Sequence, residues 1–142
     1  MYKRQFTLFE ESTRVPLIIL APGVTKPGET CDRPVSLLDV YPTLNELCGL
    51  PKRDDIDGVS LVPLLKDPTA RRDRPAITTW GRGSHSVRTE RWRYIRYANG
   101  SEELYDHKDD PDEYTNLVVS RPSHAKAIIP GLKKWLPGRS GK

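Results

Sequence analysis

The chain has 142 residues, 36% of them hydrophobic and 30% charged, and a formal net charge of +4 at pH 7. That is enough for one domain with a modest core and a globular composition on the polar side, and no apolar stretch approaches the roughly 20 residues of a membrane span. The weak cationic excess suits anions without marking a nucleic-acid binder.

The 13 prolines predict short elements joined by turns, because proline breaks helix interiors. The first such element is VPLIIL at 15–20, an apolar, β-branched run stopped by Ala21-Pro22-Gly23. Its lack of alternation predicts a strand buried on both faces. A loop follows, with a second Pro-Gly at Pro27-Gly28. In PVSLLDVYPTLNELCGLP, Ser36 and Asp39 have capping-box spacing, and Leu37, Val40, Leu44 and Leu47 recur at helical intervals. Pro42 should bend or restart this helix, and Gly49 with Pro51 should end it. Cys48 is expected to be a small buried side chain in this pattern. Cys31 and Cys48 lack metal-ligand spacing, and nothing in the sequence requires a disulfide between them.

KRDDIDGVSLVPLLKD is a charged loop entering a short helix, with Ser60 as N-cap and Pro63 in the first turn. From Ala76 the texture changes to strands: AITTW, HSVRT, WRYIRYA and EELYD. Asn99-Gly100 predicts a two-residue hairpin turn in which both residues take positive φ, and Glu90-Arg91 a weaker turn. An antiparallel meander over 76–106 follows. From Pro122 to Leu136 a helix interrupted by Pro130 should bury Ala125, Ile128, Ile129, Leu132 and Trp135, leaving a fraying tail. The class is mixed α/β or α+β.

No phosphate-cradling glycine loop, nucleophile elbow or zinc helix is present, and His85, His107 and His124 are widely separated. In DHKDDPDEYTNL the aspartates lack calcium-loop spacing, so Asp110-Pro111 predicts a turn instead. GRGSHSVRTERWRYIRY interleaves arginines with aromatics. Strand alternation places Trp92, Tyr94 and Arg96 on one side and Arg93, Ile95 and Tyr97 on the other. The plain reading is one packed aromatic face and one solvated cationic face; the sharper one is an anion-binding hairpin using guanidinium forks. His85 follows Gly81-Arg82-Gly83-Ser84, a loop able to approach a ligand closely.

Taken in order, LFEESTRVPLIILAPG, SLLDVYPTLNELCGLP, DGVSLVPLL and ELYDHKDDPDEYTNL resemble the C-terminal part of type I sulfatases of the alkaline phosphatase superfamily. The resemblance runs from Phe6 to Leu136 and is nearest to bacterial choline-sulfatase and iduronate-sulfatase-like enzymes. It implies an α/β fold, hydrolysis of sulfate esters, a formylglycine nucleophile and calcium, and a periplasmic or secreted setting. The family's Cys/Ser-x-Pro-x-Arg is absent, since Cys31 is followed by DRP and Cys48 by GLP, and its metal-binding aspartates are absent too. A nucleophile, metal ligands and catalytic residues are therefore not expected within this stretch.

Arg82 and His85 are the expected substrate contacts. The expected organisation is the end of a core domain over 6–75, an antiparallel-sheet subdomain over 76–136 and a tail over 137–142. MYKRQ at 1–5 matches the translation of a transposon adapter end, GTG TAT AAG AGA CAG. The native chain is expected to begin near Phe6, and Lys3 is not taken as catalytic. Two other functions fit the same residues: phosphate or phosphonate ester hydrolysis within the superfamily, and a non-enzymatic polyanion-binding module built on the Arg/aromatic hairpin. No nucleic acid or membrane partner is expected, and oligomeric state is not encoded legibly.

Overall fold

A computed structural model describes residues 7–138. They fall into two compact units: the described residues up to Val15 together with those from Arg74 onward, and Pro16–Asp73. The stretch before Val15 thus packs with the C-terminal sheet rather than with the segment that follows it. Lys3 lies outside the described residues.

The first unit is built on the expected meander. Its strands are β1 (Ala76–Trp80), β2 (Ser84–Arg88), β3 (Trp92–Arg96) and β4 (Glu102–Asp106), in the order β1-β2-β3-β4 and all antiparallel. Trp80 pairs with Ser84, so Gly81-Arg82-Gly83 closes the first hairpin, with φ of 59° at Gly81 and 84° at Gly83. That left-handed backbone strains residues with a Cβ, which is why glycines flank Arg82.

The last hairpin departs from expectation. Only Gly100 takes positive φ, at 87°, and Asn99 does not. Gly100 N–H donates to Tyr97 O and Tyr97 N–H to Ser101 O, both at 2.9 Å, so the loop has three residues with glycine at its left-handed position. Asn99 instead turns its Oδ1 onto the Ser101 N–H at 2.9 Å, a local bond that Asn side chains make readily.

Strand alternation gives the sheet two unlike faces. On one, Val87, Tyr94 and Leu104 are fully buried and pack with Leu117, Ala125 and Leu132. The last three belong to α4 (Leu117–Ser120) and α5 (Pro122–Lys133). Ile128, Ile129 and Trp135 pack at the margin, as expected from their spacing, and Pro130 is carried within α5. Asn116 caps α4 by accepting from Val118 N–H at 2.9 Å. On the other face, Ile95 and Tyr105 enclose Leu8, with Phe9 edge-on to Tyr105 at 6.0 Å between ring centroids. Directly after them comes the one-turn helix α1 (Glu10–Thr13).

The second unit centres on Asp39. Ser36 and Asp39 form the expected capping box, opening a 3-10 turn (Leu37–Asp39) that becomes α2 (Val40–Leu47). The restart places Pro42 in the first α turn, where its missing N–H costs no hydrogen bond. The buried Asp39 carboxylate accepts from Ser36 N–H and Val59 N–H, each at 2.8 Å, and from Arg72 Nη2 at 2.6 Å. Thr43 Oγ1 donates to Asp39 O at 2.5 Å and accepts from Leu61 N–H at 2.8 Å. These bonds tie α2 to the DGVSL loop and to α3 (Val62–Lys66). Ser60 Oγ accepts from Val62 N–H at 3.2 Å, although the helix N-cap falls on Leu61.

Three expectations fail in this unit. Val15–Leu20 is not a strand, and Ile18 is 91% exposed. A strand needs a neighbour to take its backbone hydrogen bonds, and the sheet among the described residues does not include this run. The helix α2 turns Thr43 and Asn45 inward and leaves Leu44 exposed, so the helical leucine pattern points away from the unit's own interior. Cys48, on the same helix end, is consequently exposed rather than buried. Cys31 is exposed as well, and both thiols are free. No helix among the described residues is long and apolar enough to cross a membrane.

Candidate functional site

Two groupings bear on function: the expected Arg82/His85 pair and an ionic cluster under α1. Arg82 stands exposed at the tip of the β1–β2 hairpin. His85 lies two residues past Gly83, within β2 and not on the loop, and is only 9% exposed. Its Nδ1 is 2.9 Å from Thr79 Oγ1 on β1, which leaves Nε2 for a ligand. Burial, and after it the charge of Arg96 on β3, lowers its pKa below the ordinary histidine value. The ring is therefore neutral at pH 7, able to donate or accept one hydrogen bond but carrying no charge to attract an anion. Arg82, exposed and three residues earlier in the chain, carries such a charge.

The larger constellation was not foreseen as a unit. Arg93, the second residue of β3 and 1% exposed, sends Nη1 to Leu8 O at 2.9 Å and Nη2 to Thr13 Oγ1 at 2.9 Å and to Glu10 Oε2. Its Nε lies 2.5 Å from Glu113 Oε1, an ion pair rather than an aligned hydrogen bond. Arg88 Nε donates to Glu10 Oε2 at 3.1 Å, and its Nη2 is 2.9 Å from His107 Nδ1. His107 Nε2 is 2.8 Å from Glu113 Oε1, and Glu113 Oε2 accepts from Glu10 N–H at 2.8 Å. Because a guanidinium can only donate, His107 accepts at Nδ1 and donates from Nε2, which fixes a neutral tautomer. Glu113 sits at φ 59°, and in that left-handed conformation its carboxylate is buried within the cluster. The strained backbone is held because the carboxylate meets three partners at once.

Glu10, His107 and Glu113 bring ligand-type atoms within 4.8 Å of one another. They do not fit a cation. Two carboxylates are already balanced by two guanidiniums, and the His107 Nδ1 lone pair faces Arg88. Calcium is therefore not assigned to these residues. Asp106 is held at both oxygens by Arg91, with contacts from 2.7 to 3.2 Å. Asp110 accepts from Tyr114 and Thr115 N–H, the expected turn. Arg88, Arg91 and Arg93 of the arginine-rich hairpin are all paired with carboxylates, and Arg82 stands exposed at its tip.

The available signal was the strand alternation itself. It put Arg93 on the same side as Ile95 and Tyr97, and an arginine on an apolar face requires buried carboxylates nearby. Nothing in the sequence said which carboxylates, because Glu10 and Glu113 are far from Arg93 along the chain.

Comparison with known proteins places these features in a family. The family model for N-sulphoglucosamine sulphohydrolase, C-terminal, matches residues 1–139. A sulfatase of Formosa agariphila is 38% identical over 130 residues, covering 92% of this chain and 25% of that protein. Human arylsulfatase K is 34% identical over 140 residues, covering 86% of this chain and 26% of that protein. Relatives thus occur in both bacteria and vertebrates, and the chain spans about a quarter of their length.

Among solved structures, one determined with its substrate D-glucosamine-2-N,6-O-disulfate aligns with a TM-score of 0.57 and 26% identity. The alignment covers 68% of this chain and 22% of that one. A 2-O GAG sulfatase aligns with a TM-score of 0.53 and 30% identity, over 66% of this chain and 22% of that one. The fold is sulfatase-like, with the four-stranded antiparallel sheet and C-terminal helix as its recognisable part. The chain belongs to the family of N-sulphoglucosamine sulphohydrolase C-terminal regions.

Proposed function

We propose that this chain is the C-terminal part of an enzyme that hydrolyses sulfate esters, and that Arg82 and His85 lie along the substrate. The observation that carries the reading is the family match over nearly the whole chain, supported by sulfatases among its relatives. A neutral His85 Nε2 and a cationic Arg82 make a suitable pair for a sulfated sugar: one hydrogen bond to a hydroxyl, one charge-assisted contact to an anionic oxygen. The attacking group belongs to residues other than these. Neither cysteine carries the x-Pro-x-Arg continuation that goes with formylglycine, so that nucleophile and a calcium ion would be supplied elsewhere in a longer protein.

Two measurements test this. The purified 142-residue chain should show no turnover of an aryl sulfate even with calcium added, because positioning groups cannot replace a nucleophile. In a longer protein carrying the nucleophile motif, His85→Ala should lower the specificity constant for a sulfated sugar by about 1–3 kcal/mol of transition-state binding. A small activated aryl sulfate should lose much less. Calcium-dependent turnover by the chain alone, or equal losses on both substrates, would overturn the corresponding half of the reading. Faster turnover of a phosphate monoester than of the sulfate would move the assignment to the phosphate-cleaving branch. Polyanion binding by the hairpin is disfavoured, because its central arginines are already paired.

A further inference from the structure

We propose that α1 is an acid-released strap: protonation of Glu10 frees residues 7–13 from the sheet as one local unit while the α4/α5 face of the sheet stays folded. The inference rests on the geometry under α1 and is independent of the proposed activity.

A helix of four residues without a side-chain cap cannot hold itself. What fastens α1 is the burial of Leu8, the edge contact of Phe9 with Tyr105, and the ionic links of Glu10. Facing the Glu10 carboxylate are Arg88 from β2, Arg93 from β3, and His107 and Glu113 from the segment after β4. Tyr105 is the titratable group of β4 nearest Phe9, and Glu11, the other acid of α1, is exposed. Burial alone would raise the pKa of Glu10; Arg88 and then Arg93 outweigh it and hold the carboxyl below the ordinary glutamate value. A carboxyl whose folded-state pKa is depressed contributes stability that is present above its unfolded value and is lost as pH falls through the folded one. Protonation then leaves two guanidiniums under α1 with one carboxylate fewer, which expels the strap rather than merely loosening it.

The opposite face is held chiefly by the apolar packing of Val87, Tyr94, Leu104, Leu117, Ala125 and Leu132. Its acid-sensitive contacts, Glu102 with Tyr94 Oη and Lys133 and Asp106 with Arg91, lie beside that packing, with the Glu102 side chain 26% exposed. Release should therefore be confined to one side of the sheet, as local opening of a weakly held element.

The test is residue-resolved amide exchange on the full chain, corrected for intrinsic rates, between about pH 6 and pH 2, because the stabilisation is whole above the unfolded glutamate value and is lost only as pH falls through the depressed folded one. Amides of residues 8–13, including the Glu10 N–H bonded to Glu113, should lose about tenfold or more of their protection, while Val87, Tyr94 and Leu104 keep theirs. Glu10→Gln should abolish the pH dependence by leaving the strap open throughout, and Glu11→Gln should leave it in place. If Glu10→Gln unfolds the chain, the unmutated protein's exchange profile decides alone. The idea fails if the strap and the sheet lose protection together, if the strap stays protected at the acid end, or if Glu11→Gln acts like Glu10→Gln.

Discussion

Replacing Arg93 by Met tests the ionic cluster most directly. The substitution keeps much of the side-chain length and removes every donor. Glu113, 1% exposed at its side chain, would then lose the guanidinium paired with it while keeping His107 and the Glu10 N–H, and Glu10 would keep Arg88. Leu8 O, Thr13 Oγ1 and Ser86 Oγ lose a donor as well. Breaking a buried pair from one side costs about 3–5 kcal/mol, and the upper part of that range applies to a group serving two carboxylates. Glu10 is partly solvated and can relax, which argues for the middle, about 4 kcal/mol. With a urea slope of about 2 kcal/mol/M, the unfolding midpoint of the sheet unit should fall by about 2 M.

Trp80, Trp92 and Trp135 all belong to that unit, so tryptophan fluorescence follows it specifically. The decisive comparison is Arg93→Met with Glu113→Met in the same chain. An apolar pair of similar volume removes the orphaned carboxylate, so the double variant should recover at least half of the loss. A single variant within about 1 kcal/mol of the unmodified chain, or a double variant as unstable as the sum of both singles, would refute the cluster as the fastening of α1.

Two other expectations are simpler. A Cβ on Gly58 would lie 2.0 Å from Leu38 O, so Gly58→Ala must push the DGVSL loop off the 3-10 turn that opens α2. A loss of about 1–3 kcal/mol in the Pro16–Asp73 unit is expected by urea titration, and an unchanged midpoint would show that the approach is not enforced. Both cysteines are exposed and unpaired, so native chain should react with two equivalents of a thiol reagent such as dithionitrobenzoate. Reaction of one or none would contradict the exposure of Cys31, Cys48 or both.

Legibility in the sequence followed the range of the interactions. The four strands, the capping box at Ser36 and the stop at Gly49 rest on residues within a few positions of one another, and each lies where local chemistry put it. Asn99-Gly100 was a correct turn of the wrong type, because a three-residue loop with one left-handed glycine competes closely with the two-residue form. Val15–Leu20 and the leucines of α2 carry core-like composition with no core around them among the described residues; hydropathy reports what a segment prefers to bury, not whether a partner is at hand. His85 headed the expected strand HSVRT, and β2 begins one residue earlier, at Ser84; what the sequence did not show was the burial of the ring. The clasp was invisible as a set, since Glu10, Arg93 and Glu113 meet only after the sheet has folded between them.

The unlike faces of the sheet also predict how such chains can drift. On the α5 side, an isoleucine in place of Val87 or Leu104 asks for minor repacking, and single substitutions can accumulate one at a time. On the α1 side, a change at Arg93 is tolerated only with a change at Glu10 or Glu113, so these positions must move together or stay still. One layer of backbone should therefore carry two tempos of sequence divergence, gradual and independent on one surface, rare and concerted on the other.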